Sequence, residues 1–255
     1  MNFDACARLV ERGDPLRFRV AMAAPVPARR VLFPLYAFNV EVARAPWVTQ
    51  EAMIAEMRLQ WWRDALEEIG QGGRVRRHEV VDALAAVLDT EGAACLDALV
   101  AARRWDIYKD GFEDRAHFDD FIGATSGNLM WTAARLLGDA DEAVVRDFAY
   151  GVGIANILQA APALTAQGRV PFADTSDGAM RELAQDGLAR LDRAAAARRS
   201  VSKAAAPALV AGYHARPVLK AVIANPALVL QDALPGNPAR DSLRFANVSL
   251  RGWWR

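Results

Sequence analysis

Residues 29–68 read RRVLFPLYAFNVEVARAPWVTQEAMIAEMRLQWWRDALEE, two helical patterns set back to back. The first runs from about Ala28 to Arg44 and stops at Ala45-Pro46. The second starts at Thr49-Gln50-Glu51 and runs over about 50–70, closed by Gly70, Gly72 and Gly73. Pro34 lies inside the first pattern and predicts a kink or a helix start there, because proline removes a backbone donor and crowds the preceding turn. Trp61-Trp62 divides between core and surface, since adjacent helical residues point to different sides.

The same periodicity continues outward in both directions. Residues 4–12 form a short amphipathic pattern with Asp4 placed to cap it and Gly13 to end it. Asp14-Pro15 then opens a second short helix. Downstream, helical spacing recurs at His78–Leu88, Ala94–Lys109, Phe118–Leu137 (interrupted at Thr125–Asn128) and Asp141–Ala161, where Pro162 is expected to break or kink it. A loop over 167–178 follows, then helices at Ala179–Ala197, Ala204–Ala215, Val218–Ala224 and Pro226–Ala233. Sustained apolar–polar alternation is absent, so a sheet has no raw material. The fold class is all-α: one domain over residues 1–235, of roughly eight to ten helices, followed by a loosely structured tail over 236–255.

An apolar share of 53% against 24% charged residues is that of a globular chain able to bury a core. A formal net charge of +0 and a pI near 6.8 give no electrostatic argument for nucleic acid. Cys6 and Cys95 make neither a disulfide framework nor a metal spacing, and fit a reducing compartment. The N-terminal segment carries acids and no long apolar run, unlike a secretory signal, and no stretch matches a membrane span. The expected location is the cytoplasm, with peripheral membrane association at most.

Four segments in order resemble the squalene/phytoene synthase family: Leu35-Tyr36-Ala37-Phe38, Leu59-Gln60-Trp61-Trp62-Arg63-Asp64-Ala65-Leu66, Phe121–Gly138 (FIGATSGNLMWTAARLLG) and Ile154–Pro171 (IANILQAAPALTAQGRVP). The resemblance implies an isoprenoid-synthase fold, a single helical bundle around a deep central cavity. In active members two aspartate clusters face each other across its mouth. Carboxylates three or four apart share a helical face, and magnesium, a hard cation, takes their oxygens while bridging to a diphosphate.

At the corresponding positions this chain reads Ala43-Arg44-Ala45-Pro46-Trp47 and Ala160-Ala161-Pro162-Ala163-Leu164. The family's catalytic residues therefore have nothing to be carried onto, and no metal ligand is assigned. Tyr36 to Arg44 and Arg58 to Arg63 also resemble the bacterial relatives of a mitochondrial complex I assembly factor with a phytoene-synthase-like domain.

What this implies is an accessory or assembly factor without classical magnesium-dependent prenyltransferase activity. Its partner is a protein of a respiratory or membrane complex, and its ligand, if any, an apolar or prenyl molecule. Cavity and ligand candidates are Tyr36, Phe38, Asn39, Glu41, Arg44, Arg58, Trp61, Trp62, Arg63, Asn156 and Arg169. No cofactor is expected. Magnesium enters only under the alternative, a head-to-head prenyl-diphosphate transferase with an atypical metal site. A second alternative is a helical interaction module with a collapsed interior.

Other residues read more plainly. Glu41–Arg44 and Glu56–Arg63 suit buried ion pairs, ahead of anion binding by Arg44 and Arg58. Asp106, Asp110 and Asp114 read as a solvated helix end, and Asp119-Asp120 as a capping or exposed pair. His78, His117 and His214 lie too far apart for a metal site, and Gly151-x-Gly153 reads as close helix packing. Trp253-Trp254-Arg255 suits a lipid interface or a groove, and equally a tail packed on its own domain.

Overall fold

A computed structural model describes residues 3–49, 51–108, 110–234 and 238–255. Gln50 and Lys109, at the ends of two expected helices, and the 235/236 domain boundary lie outside the described residues. Among those described there is no strand, only an isolated antiparallel bridge between Ala140 and Val201. The all-α expectation holds.

The helices are α1 Phe3–Gly13, α2 Pro15–Ala23, α3 Val26–Arg44, α4 Ala52–Gly70, α5 Glu79–Ala85, α6 Thr90–Ala102, α7 Arg115–Ile122 and α8 Asn128–Leu137. After them come α9 Glu142–Ala166, α10 Asp177–Ala196, α11 Ala215–Ala224 and α12 Pro238–Arg251. Local chemistry sets their starts. Asp14, Asp89, Asp114, Asp141 and Ser176 each accept a backbone N–H from the first turn of the helix that follows. Asp4 falls inside the first turn of α1, not at its cap.

Several expectations are corrected. No helix starts at Pro34 and none breaks at Pro162: α3 and α9 run through them, which removes those two of the expected alternatives and not the kinks. Leu32, Leu35, Ala37, Leu158 and Ala161 around these prolines are fully buried, and that packing offsets the missing hydrogen bond. The interruption at Thr125–Asn128 is a π-helical turn, Gly123–Gly127, that joins α7 to α8. Ala204–Ala215 contains a 3₁₀ segment, Ala206–Gly212, in place of an α-helix. The C-terminal stretch is helix α12, seated by Val248 and by Trp253, which is 2% exposed and packs edge-on against Phe148 at 4.8 Å. Trp253 is therefore part of the core and is not available to a lipid interface.

α9 is the hub, packing against α8, α10, α11 and both short turns. Gly151 permits its closest approach: a Cβ there would meet the Gly187 carbonyl oxygen of α10 at 2.6 Å. Gly153 similarly clears Ile122 and Ser126, so both glycines serve close packing. Opposite α9 lies α3, whose Leu32, Leu35 and Phe38 are fully buried. The space between α3 and α9 is where the site forms.

Candidate functional site

α3 and α9 do not close on each other. Between them lies a cavity of about 530 Å³, walled by Asn39, Val40 and Ala43 of α3 and by Asn156, Ile157 and Ala160 of α9. That volume falls among small-molecule sites. Its interior is neither collapsed nor uniformly apolar. Trp105, Phe121, Ile122, Leu129 and Leu164 supply an apolar wall. Asp14, Arg17, Arg103, Asp106, Ser126 and His214 supply a polar one.

The charged groups on that wall are already matched. Asp14, fixed by its role as the α2 cap, takes Arg17 at 2.5 Å. Asp106 ends a 3₁₀ turn after α6, is buried, and takes Arg103 at 2.9 Å. A solvated position was expected for Asp106; the turn instead carries it inward, while Asp110 stays exposed and Asp114 caps α7.

His214 sits at the end wall with Nε2 2.8 Å from Oδ1 of Asn156. Burial, reinforced by the nearby Arg17 cation, lowers its pKa to about 4, so the ring is neutral at physiological pH. Among the described residues no group of three His, Cys, Asp or Glu side chains is placed to share a metal ion.

The positions expected to carry the family's acidic clusters do face this cavity. Ala43, Arg44 and Trp47 reach it from α3 and the turn after it, and Ala160 and Leu164 from α9. Of the other candidates, Asn39 and Asn156 line it as well. Arg169 is 6% exposed and lies next to it, its guanidinium 4.2 Å from the Trp47 ring and its Nη1 donating to the Tyr108 carbonyl at 3.4 Å. It has no carboxylate at ion-pair distance among the described residues, and burial holds its pKa below the usual guanidinium value. Tyr36 is buried one layer behind, under Arg17 at 5.6 Å, and its hydroxyl is pushed up to about 12 by burial.

The remaining candidates point elsewhere. Phe38 and Trp62 pack edge-on at 5.4 Å in the core, and Trp61 is half-buried against Trp62 and Arg76, as the split of adjacent helical residues predicts. Arg58 is exposed on α4. The Glu41–Arg44 pair exists at 3.7 Å but is not buried, Arg44 being 59% exposed.

The Glu56–Arg63 pair does not form, because seven residues place them two turns apart along α4. Glu56 instead takes Arg104 at 2.8 Å and the Tyr108 hydroxyl at 3.0 Å. α6 brings Asp97 to Arg63, which donates from Nε at 2.8 Å and Nη2 at 3.0 Å. Of the Asp119-Asp120 pair, Asp120 is exposed as expected, whereas Asp119 is half-buried and accepts from Arg115 and from the Tyr150 hydroxyl. Asp14, Arg17, Arg103 and His214 were not foreseen; only the Asp14-Pro15 helix start hinted at the first.

A profile of the squalene/phytoene synthase family matches residues 10–174. Among curated proteins, the assembly factor 6 homolog of NADH dehydrogenase (ubiquinone) complex I from Drosophila melanogaster is 41% identical over 64 residues, 25% of this chain and 19% of that protein. The assembly factor 6 of Homo sapiens is 22% identical over 161 residues, 62% of this chain and 48% of that protein. The chain thus matches less than half the length of these curated relatives.

Among solved structures, a dehydrosqualene synthase in complex with ligand superposes with a TM-score of 0.75 at 14% identity, covering 98% of this chain and 96% of that one. The squalene synthase HpnC from Alicyclobacillus acidocaldarius gives a TM-score of 0.72 at 17% identity, covering 92% and 95%. These likenesses establish the isoprenoid-synthase fold. With more than half of its length matched by the family profile, this chain belongs to the squalene/phytoene synthase family.

Proposed function

We propose that this chain is a non-catalytic accessory member of its family, acting in the assembly of a respiratory NADH dehydrogenase and holding an apolar or prenyl-type ligand in its cavity. One observation carries the reading. The cavity wall offers Ala43, Arg44 and Trp47 from one side and Ala160 and Leu164 from the other, where active relatives would place carboxylates. Magnesium needs several oxygen ligands. The two acids that do reach the cavity, Asp14 and Asp106, are each engaged by an arginine. This donor set does not fit the ion.

The partner side of the reading is supported by the names of the curated relatives, both complex I assembly factors. The open interior supports ligand holding over a purely structural helical module. An amphipathic molecule would lay its chain along Trp105, Phe121 and Leu129 and its polar end toward Asn39, Asn156 and the paired arginines.

Purified protein incubated with farnesyl or geranylgeranyl diphosphate and magnesium should release diphosphate no faster than with EDTA present. Metal-dependent release would overturn the non-catalytic reading and restore the transferase alternative. Deleting the gene should lower the amount of assembled NADH dehydrogenase on native gels, with recovery on complementation. An unchanged amount would overturn the assembly role.

A further inference from the structure

α12 spends one face on the body of the protein. Phe245 packs against Tyr213 at 5.3 Å beneath the Arg19 guanidinium, Val248 is buried, and Trp253 beyond the helix enters the core. The opposite face carries Arg240, Leu243, Asn247 and Leu250 at successive helical intervals of three or four residues, with Arg251, four beyond Asn247, beside Leu250. Leu243 is 73% and Leu250 87% exposed, the two most exposed large apolar side chains among the described residues.

The charge around them is one-sided although the whole chain is neutral. Residues 238–255 hold four arginines and a single acid, Asp241, which Arg244 takes at 3.0 Å. The segments α12 lies against, 15–23 and 198–212, contain five cations and no carboxylate. Arg19 caps Phe245, and Arg198 sits 5.7 Å over Trp254.

We propose that this face of α12 docks the protein on an anionic phospholipid bilayer. Leucines projecting from a cationic helical face enter the boundary between headgroups and acyl chains, while flanking arginines keep their guanidinium groups at the lipid phosphates. No helix among the described residues is long and apolar enough to cross a membrane, so the contact is peripheral. Charge complementarity selects the anionic bilayer over a neutral one.

The test is co-sedimentation of the full chain with vesicles of phosphatidylcholine alone or mixed with phosphatidylglycerol. The wild type should pellet with the anionic vesicles, less so as salt is raised. The double variant Leu243→Ser, Leu250→Ser should bind at least about ten-fold more weakly. Arg240→Glu with Arg251→Glu should lose about five-fold or more for each arginine.

Both leucines are solvated, so the circular dichroism and melting temperature of the leucine variant should match the wild type. Failure to pellet with anionic vesicles, or equal binding by the wild type and both variants, would overturn the proposal. So would vesicle binding that depends on the arginines alone, since the leucines would then enter no bilayer. A wild-type dimer in sedimentation velocity that the leucine variant abolishes would reassign the face to a second copy.

Discussion

Nε2 of His214 lies 2.8 Å from Oδ1 of Asn156, which ties α9 to the start of α11 across the end wall of the cavity. With Oδ1 as acceptor, Nε2 carries the proton and Nδ1 has no hydrogen-bond partner. A second proton would place a buried cation beside Arg17.

Stability should therefore fall with acidity in a defined window. The folded pKa of His214, about 4, lies below its ordinary value of 6.5. Between the two the unfolded chain binds the proton and the folded one does not, so stability is full above pH 6.5 and drains away as pH falls toward 4. The loss amounts to about 3 kcal/mol. His214→Gln keeps a donor for Asn156 and removes the titration. Urea unfolding at pH 7.5 and 4.5 should show a shallower acid loss in the variant; parallel losses would remove His214 as the cause.

Gly151→Ala drives a Cβ into the Gly187 carbonyl and the Leu191 side chain, both at 2.6 Å. The carbonyl belongs to the α10 backbone and cannot swing aside. The variant should lose about 1–3 kcal/mol by chemical denaturation. A neutral result would mean that α9 and α10 are further apart than described.

Ala43 and Ala160, which line the cavity from α3 and α9, give a direct handle on it. Ala160→Phe projects a ring into the space facing Ala43. If the cavity holds a prenyl-type molecule, quenching of tryptophan fluorescence by farnesol should weaken by about ten-fold or more. Arg63→Ala, on the far side of α4, should leave that binding unchanged and cost about 1 kcal/mol or less of stability, since its pair with Asp97 is a third exposed. Equal farnesol responses in all three proteins would place the ligand outside this cavity.

What the sequence made legible was whatever depends on local spacing. The Leu32–Phe38 run, the Trp61–Trp62 split and the Gly151–Gly153 pair each landed where periodicity put them, because burial on one helical face is written three and four residues apart. The cavity positions of Ala43 and Ala160 were legible by resemblance alone. Asp106, Arg103 and His214 were not, because a 3₁₀ turn and the entry to α11 aim them inward, and neither turn has a periodic signature. The Arg63–Asp97 pair was illegible for a related reason: it depends on how α6 crosses α4. The prolines left kink and interruption both open because the gain from packing at Leu32 or Leu158 is settled by distant helices.

Trp253→Ala should cost about 3–5 kcal/mol, the range for emptying a buried tryptophan site. Phe148 would lose the ring it meets at 4.8 Å, and α12 its anchor. Limited proteolysis should then cleave α12 faster than the rest of the chain. Cleavage at the wild-type rate would show that Phe245 and Val248 hold the helix unaided.

The π-helical turn at Gly123–Gly127 places Thr125 and Ser126 on the cavity wall while α7 and α8 run on either side of it. A π turn absorbs one additional residue inside an otherwise regular helix. Removing one glycine there should let the backbone relax to ordinary α spacing without turning the flanking helices. The lining of this cavity is thus open to editing by single-codon gain or loss. That is a route to new ligand shapes which point substitution does not reach.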